Sequence, residues 1–305
     1  MTELTVREQL HNFADDLENA LSENIEAQNA SSVILCGMGG SAISSMMVND
    51  LIYQYCKVPL MVVNYPKIPG WANKGTLAIV SSYSGNTRET LMMYEAAKAK
   101  GCKIVVISSG GKLTELAKKD GYLDVALPKN MQPRHSVGFQ IGYTLALLRN
   151  LGAEKVYEQM KTSIPELLKF RDYLENDGRD MVEGYARRFI CAVPCVRAVP
   201  GSTSIAFRWI SQISENSKHI AVIDRSMTSD AIDLSDNVPG YSEDRILCNL
   251  RQMMVADYAS MKAAENRGLD PAVVGAITRQ KELLNSGRCT IRTVLSSQVY
   301  IHNGD

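Results

Sequence analysis

Short continuous apolar runs alternate with helical segments through the first half of the chain, and this order restricts the fold more than any other feature. Residues 32–36, 60–63, 76–80, 103–107 and 124–128 read as strands. A strand apolar at successive positions is covered on both faces, as in a parallel sheet with helices on either side. Helices are expected over 5–28, 42–55, 87–99, 114–119 and 137–151. The expected class is therefore α/β, with a doubly wound, mainly parallel sheet flanked by helices. Ligands on such sheets gather beyond the C-terminal ends of the strands. Two glycine- and serine-rich loops, 37–41 and 81–87, fall at that edge.

Gly152 and a polar helical stretch over 153–188 lead into a second half that again reads as strands and helices. Strands are expected at 190–193, 196–199, 219–223 and 245–250. A small-residue turn, 200–204, opens a helix running through Trp209. Helices over 251–267 and 271–285 are separated by Gly268-Leu269-Asp270-Pro271, and 290–301 reads as one more strand. The halves look like loose structural repeats, so the domains are placed at 1–152 and 153–305.

With 305 residues, 45% of them hydrophobic, the chain can build a substantial core. Its 33 basic and 33 acidic residues cancel, which argues against a nucleic-acid footprint or an anionic-membrane patch. No 18-residue apolar run predicts a membrane span, and the charged, amphipathic N-terminus does not read as a secretion signal. Seven scattered cysteines, most in apolar runs such as Cys36, Cys102, Cys191 and Cys248, fit reduced thiols in a cytoplasm. Cys191 and Cys195 have no nearby histidine, so no metal is expected there.

The loop Ser82-Tyr83-Ser84-Gly85-Asn86-Thr87 lies between a strand and a helix. Hydroxyls there join the free N–H groups and positive end of the helix, which together suit an anion. No lysine lies within the loop, so it is not a nucleotide P-loop; it suits a lone phosphate monoester. Gly37-x-Gly39-x-x-Ala42 formally fits a dinucleotide fingerprint, but the next strand ends in Asn64-Tyr65 rather than an acid, and Asp50 falls inside the helix. A nicotinamide cofactor is thus not expected. Gly39, Gly40 and Ser41 instead suit close approach of backbone to a small ligand. Glu215, Arg134 and Lys281 are the remaining candidates. Spacing alone singles out none of them: each also reads as a charge on the surface of a helix or at its end.

Taken in order, Gly37-Met38-Gly39-Gly40-Ser41, the 82–87 loop, Pro133-Arg134, Glu215-Asn216-Ser217-Lys218 and Leu269-Asp270-Pro271 form a recognisable set. Over residues 30–285 the chain resembles the bifunctional phosphoglucose/phosphomannose isomerases, members of the phosphoglucose isomerase superfamily. The resemblance implies two sugar isomerase (SIS) domains, a homodimer, a phosphorylated hexose as substrate and no cofactor. It assigns phosphate binding to Ser82, Ser84 and Thr87, with Ser41, Gly39 and Gly40 near the sugar. Arg134 would steady an enediolate, Glu215 would move a proton between C1 and C2, and Lys281 would sit near the ring oxygen. The family's ring-opening histidine has no match: Ser235 stands in its place, His219 begins an expected strand, and His135 beside Arg134 is a further candidate. An isomerase acting on another phosphosugar, or a catalytically silent sugar-phosphate sensor, remains open at this stage.

Overall fold

The computed structural model describes residues 4–197, 201–224, 232–233 and 244–273. All five strands expected in the first half are present: β1 (Ser32–Gly37), β2 (Leu60–Val63), β3 (Thr76–Ser81), β4 (Lys103–Ser108) and β5 (Leu123–Ala126). They form one sheet in the order β2-β1-β3-β4-β5, and every pairing is parallel. Successive side chains alternate between two apolar layers despite the unbroken apolar sequence. Val33, Leu35, Leu77 and Ile79 enter the larger cluster, whereas Ile34, Cys36, Ala78 and Val80 enter the smaller one.

The helices divide between these layers. The expected 5–28 helix is two helices, α1 (Val6–His11) and α2 (Phe13–Ser22), and Thr5 and Glu8 make a capping box at the start of α1. Helix α3 (Gly40–Ile52) follows β1 into the larger cluster through Ile43, Met47 and Val48. Helix α4 (Arg88–Ala99) follows β3 into the smaller cluster through Met93 and Ala97, joined there by α5 (Gly111–Asp120) through Leu113 and Ala117. Chains leaving the adjacent strands β1 and β3 therefore depart to opposite faces. That divergence opens a crevice at their C-terminal ends, the topological switch point of an open α/β sheet.

Beyond the sheet, α6 (Val137–Leu147) is buried along its whole length. The polar stretch is two helices, α7 (Glu154–Glu175) and α8 (Arg179–Cys191). A second, smaller sheet of three parallel strands is ordered β7-β6-β8, with β6 Cys195–Arg197, β7 Val222–Asp224 and β8 Ile232–Asp233. Helix α9 (Thr203–Ser217) packs against it and against α10 (Arg245–Asn266), and their Trp209, Ile213, Leu250 and Met253 belong to the same cluster as Leu35 and Met47.

Three readings of the second half need correction. Residues 190–193 are not a strand: α8 runs to Cys191, which is exposed, and the helix is held by Tyr185 and Phe189 edge-on to Trp209. Residues 245–250 are the first turns of α10, because the Asp244 side chain accepts hydrogen bonds from the N–H groups of Ile246 and Leu247 and so caps a helix. The strand expected from His219 begins only at Val222. Continuous apolar runs do not distinguish a buried strand from a buried helix by period. The expected helix 271–285 beyond residue 273, and the strand at 290–301, lie outside the described residues.

Candidate active site

The Ser82–Thr87 loop packs tightly against the β4–α5 loop. Gly85 sits at φ +63°, and a Cβ there would come within 1.8 Å of Gly110 O. The β4–α5 loop can pack this closely only because Gly85 and Gly111 lack side chains. Leu113 N–H then donates to Gly85 O, Ser109 N–H to Tyr83 O, and Lys112 N–H to Asn86 Oδ1. Thr87 is the N-cap of α4 but makes no side-chain cap bond; instead its Oγ1 accepts from Ser82 Oγ at 3.2 Å. Ser84 Oγ accepts from Asn86 N–H at 3.3 Å. Thr87 therefore leaves its own oxygen out of the cap, and the positive end of α4 faces a hydroxyl-lined loop.

The first glycine loop lies alongside. A Cβ on Gly37 would lie 3.1 Å from Ser41 Cβ and 3.2 Å from Ser81 O, so Ser41 stands next to the end of β3. Gly39 caps α3 with φ +54°, and Gly40 packs against the backbone of Arg134. Ser41, Ser82 and Arg134 are all buried.

Arg134 is not the surface charge that its position after a proline suggests; it is 4% exposed, in a 3-10 turn over Pro133–His135. Its guanidinium donates to Asn216 Oδ1 at 3.1 Å, Gln132 Oε1 at 3.3 Å and Pro271 O at 2.6 Å. Nη1 also lies 3.7 Å from Glu215 Oε2. Burial lowers the Arg134 pKa from its ordinary value, and Glu215 opposes that shift; the group remains a cation at neutral pH. Glu215 lies within the last turn of α9 rather than beyond it. Lys218 ends the helix in the left-handed conformation, donating to Glu215 O, and burial followed by Arg134 lowers its pKa. Arg134 and Glu215, predicted from opposite halves of the sequence, are therefore brought together. Lys281 and Ser235 lie outside the described residues.

His135 is buried, and neither ring nitrogen has a hydrogen-bond partner among the described residues. Burial, then Arg134 and Arg208, hold its pKa well below the ordinary histidine value, so it is neutral. His219 Nε2 is 3.1 Å from Ala192 O. Sequence reasoning missed Asn216 as a partner of Arg134, and it missed Asp257 altogether. A stripe of polar residues at i, i+4 spacing on α9 (Ser204, Arg208, Gln212 and Asn216) was the available signal, and all four are buried. Asp50, considered only as a missing ribose ligand, instead accepts from Ser204 N–H at 2.9 Å at the start of α9.

A hydroxyl-lined helix N-terminus can anchor a phosphate, and a carboxylate beside a buried guanidinium can move a proton while neighbouring oxygens are stabilised. No protein-family model matches the chain. A bifunctional phosphoglucose/phosphomannose isomerase from Caldicellulosiruptor bescii is 34% identical over 222 residues, 69% of this chain and 66% of that protein. Another, from Aquifex aeolicus, is 35% identical over 61% of this chain and 56% of its own.

The chain belongs to the bifunctional phosphoglucose/phosphomannose isomerase family.

It spans less than two thirds of the length of those two relatives in the matched region. A third family member, from Pyrobaculum calidifontis, matches at 27% identity over 86% of this chain and 91% of its own. Among solved structures, a tagatose-6-phosphate ketose/aldose isomerase from Escherichia coli superposes with TM-score 0.63 at 13% identity, covering 90% of this chain and 99% of the other. A glucosamine-6-phosphate deaminase from Thermotoga maritima gives TM-score 0.64 at 12% identity, covering 88% and 96%. These two likenesses establish that the fold is shared.

Proposed function

We propose that this family member is an aldose–ketose isomerase interconverting glucose 6-phosphate and mannose 6-phosphate with fructose 6-phosphate. The approach of Glu215 Oε2 to within 3.7 Å of Arg134 Nη1, with the Arg134 backbone packed on Gly40 of the first glycine loop, carries this reading. Ser82, Ser84, Thr87 and the first turn of α4 hold the phosphate, with Ser41 and the backbone at Gly39 and Gly40 beside the sugar. Phosphate binding is thereby converted into orientation of C1 and C2. Glu215 takes a proton from one of these carbons, leaving a cis-enediolate, and returns it to the other. Arg134 stabilises the negative oxygens between the two transfers. Aldose and ketose have the same oxidation level overall, so the sequence of steps needs no redox cofactor. Lys281 is assigned to the ring oxygen by resemblance alone. We place the SIS domain boundary at 152/153 and expect a cytoplasmic homodimer.

The test is a coupled assay with fructose 6-phosphate on wild type and Glu215→Gln. Turnover is expected to fall about 100-fold or more in the variant, with calorimetry showing retained phosphosugar binding. Tight binding without turnover in wild type would instead make the protein a sugar-phosphate sensor.

A further inference from the structure

Arg208 sits in the middle of α9 with its side chain only 1% exposed. A buried guanidinium is tolerated only with a full set of acceptors. Asp257 on α10, its side chain 5% exposed, takes two arms: Nε at 2.8 Å and Nη2 at 2.6 Å. That bidentate pair alone would suffice to dock α9 on α10. The remaining nitrogen does something else. Nη1 reaches the main-chain oxygen of Arg134 at 2.7 Å.

A second tie runs parallel to the first. Arg134 Nε donates to Asn216 Oδ1 at 3.1 Å, and Asn216 Nδ2 donates to Ser260 Oγ at 2.9 Å. Arg134 is thus fastened to α9 through its backbone by Arg208 and through its side chain by Asn216. The two α9 residues are in turn fastened to Asp257 and Ser260, three positions apart on α10. Glu215 rides on the same final turn of α9 as Asn216. We infer that Arg208, oriented by Asp257, is a positioning residue that sets Arg134 against Glu215. This inference rests on the isomerase reading above. Lysine cannot replace Arg208, because an ammonium lacks the planar fork that satisfies a carboxylate and a carbonyl in different directions.

The test uses the full chain with Arg208→Lys. With fructose 6-phosphate, kcat should fall at least about tenfold while KM changes less than about twofold, since the phosphate loop is untouched. Arg134→Lys/Arg208→Lys should be no slower than Arg134→Lys alone, because a residue acting through Arg134 has nothing left to position. Unchanged kcat, or losses that multiply, would overturn the inference. Should Arg208→Lys not fold, Arg208→Gln combined with Asp257→Asn removes both buried charges and carries the same expectations. A readout independent of turnover separates the two claims. Exchange of the Arg134 Nε–H proton by nitrogen-15 NMR should quicken at least about tenfold in either variant. Wild type without turnover would defeat the isomerase reading; unaltered exchange would defeat the clamp whatever the activity.

Discussion

Glu215 Oε2 and Arg134 Nη1 lie 3.7 Å apart, one at the end of α9 and the other in the turn before α6. The contact is an ion pair with work left to do. Three other acceptors, Asn216, Gln132 and Pro271, hold the guanidinium in place, and the Glu215 side chain keeps 22% of its surface exposed. The Arg134 side chain keeps only 5%, so of the two the carboxylate is the more accessible and the guanidinium the more tightly held.

Arg134→Gln should therefore lower kcat about 100- to 1000-fold, the range for loss of a preorganised oxyanion donor, with KM within a few-fold of wild type. Steady-state kinetics with fructose 6-phosphate checks this. A large rise in KM at constant kcat would make Arg134 a ground-state binding group instead.

Ser84→Ala and Thr87→Ala should act in the opposite sense. Each removes one hydroxyl from the mouth of α4, and a hydrogen bond to a charged group is worth about 1.5–3 kcal/mol. KM should rise about tenfold or more, with kcat little changed. If KM for the phosphorylated sugar stays put, the phosphate is bound at another place.

Gly85→Ala should lower stability and weaken phosphosugar binding together. The positive φ costs about 1–3 kcal/mol for a residue with a side chain, and the new methyl would press on Gly110 O at 1.8 Å. Gly101→Ala is the control, since Gly101 has φ +69° but nothing within 4 Å of a Cβ. Thermal denaturation should show the Gly85 variant losing clearly more; equal losses would mean that the packing of the two loops contributes nothing.

Asp16 predicts a pH dependence. Burial, helped by Asp15, pushes its carboxyl up to about 7, and Oδ2 has no hydrogen-bond partner among the described residues. The folded state then binds more protons than the unfolded state between about pH 4 and about pH 7. Stability must fall as pH rises through that window, because the buried group is forced to ionise. The total is at most about 4 kcal/mol, at about 1.36 kcal/mol per pKa unit. Asp16→Asn should remove that slope, matching wild type near pH 4 and exceeding it near pH 8 in urea melts. Parallel stability–pH curves for the two proteins would refute the assignment.

Much of the first sheet was legible because its signals are local. Each of the five strands is an apolar run closed by a polar or glycine-rich turn, and the Ser82–Thr87 loop follows its strand directly. The second half was harder for a physical reason. Residues 246–248 and 250 are apolar, as suits the deeply buried helix α10, and so short a run does not show the period that separates helix from strand. Asp244 was the cue available, a helix cap standing just before the run. At the site, Glu215 and Arg134 came from the family pattern, and Arg208 was not singled out. A lone arginine in a sequence carries no sign that it will be buried or which carboxylate will meet it.

By itself the sequence determined the parallel sheet and the hydroxyl-rich loop after β3, since side-chain period and turn chemistry act between neighbours along the chain. Only the tertiary structure decided that Arg134 is buried beside Glu215, that His135 is neutral, and that Arg208 spans Asp257 and the Arg134 backbone. Charge state and hydrogen-bond partnership depend on desolvation and on groups contributed by distant segments, and those come together only when the helices pack.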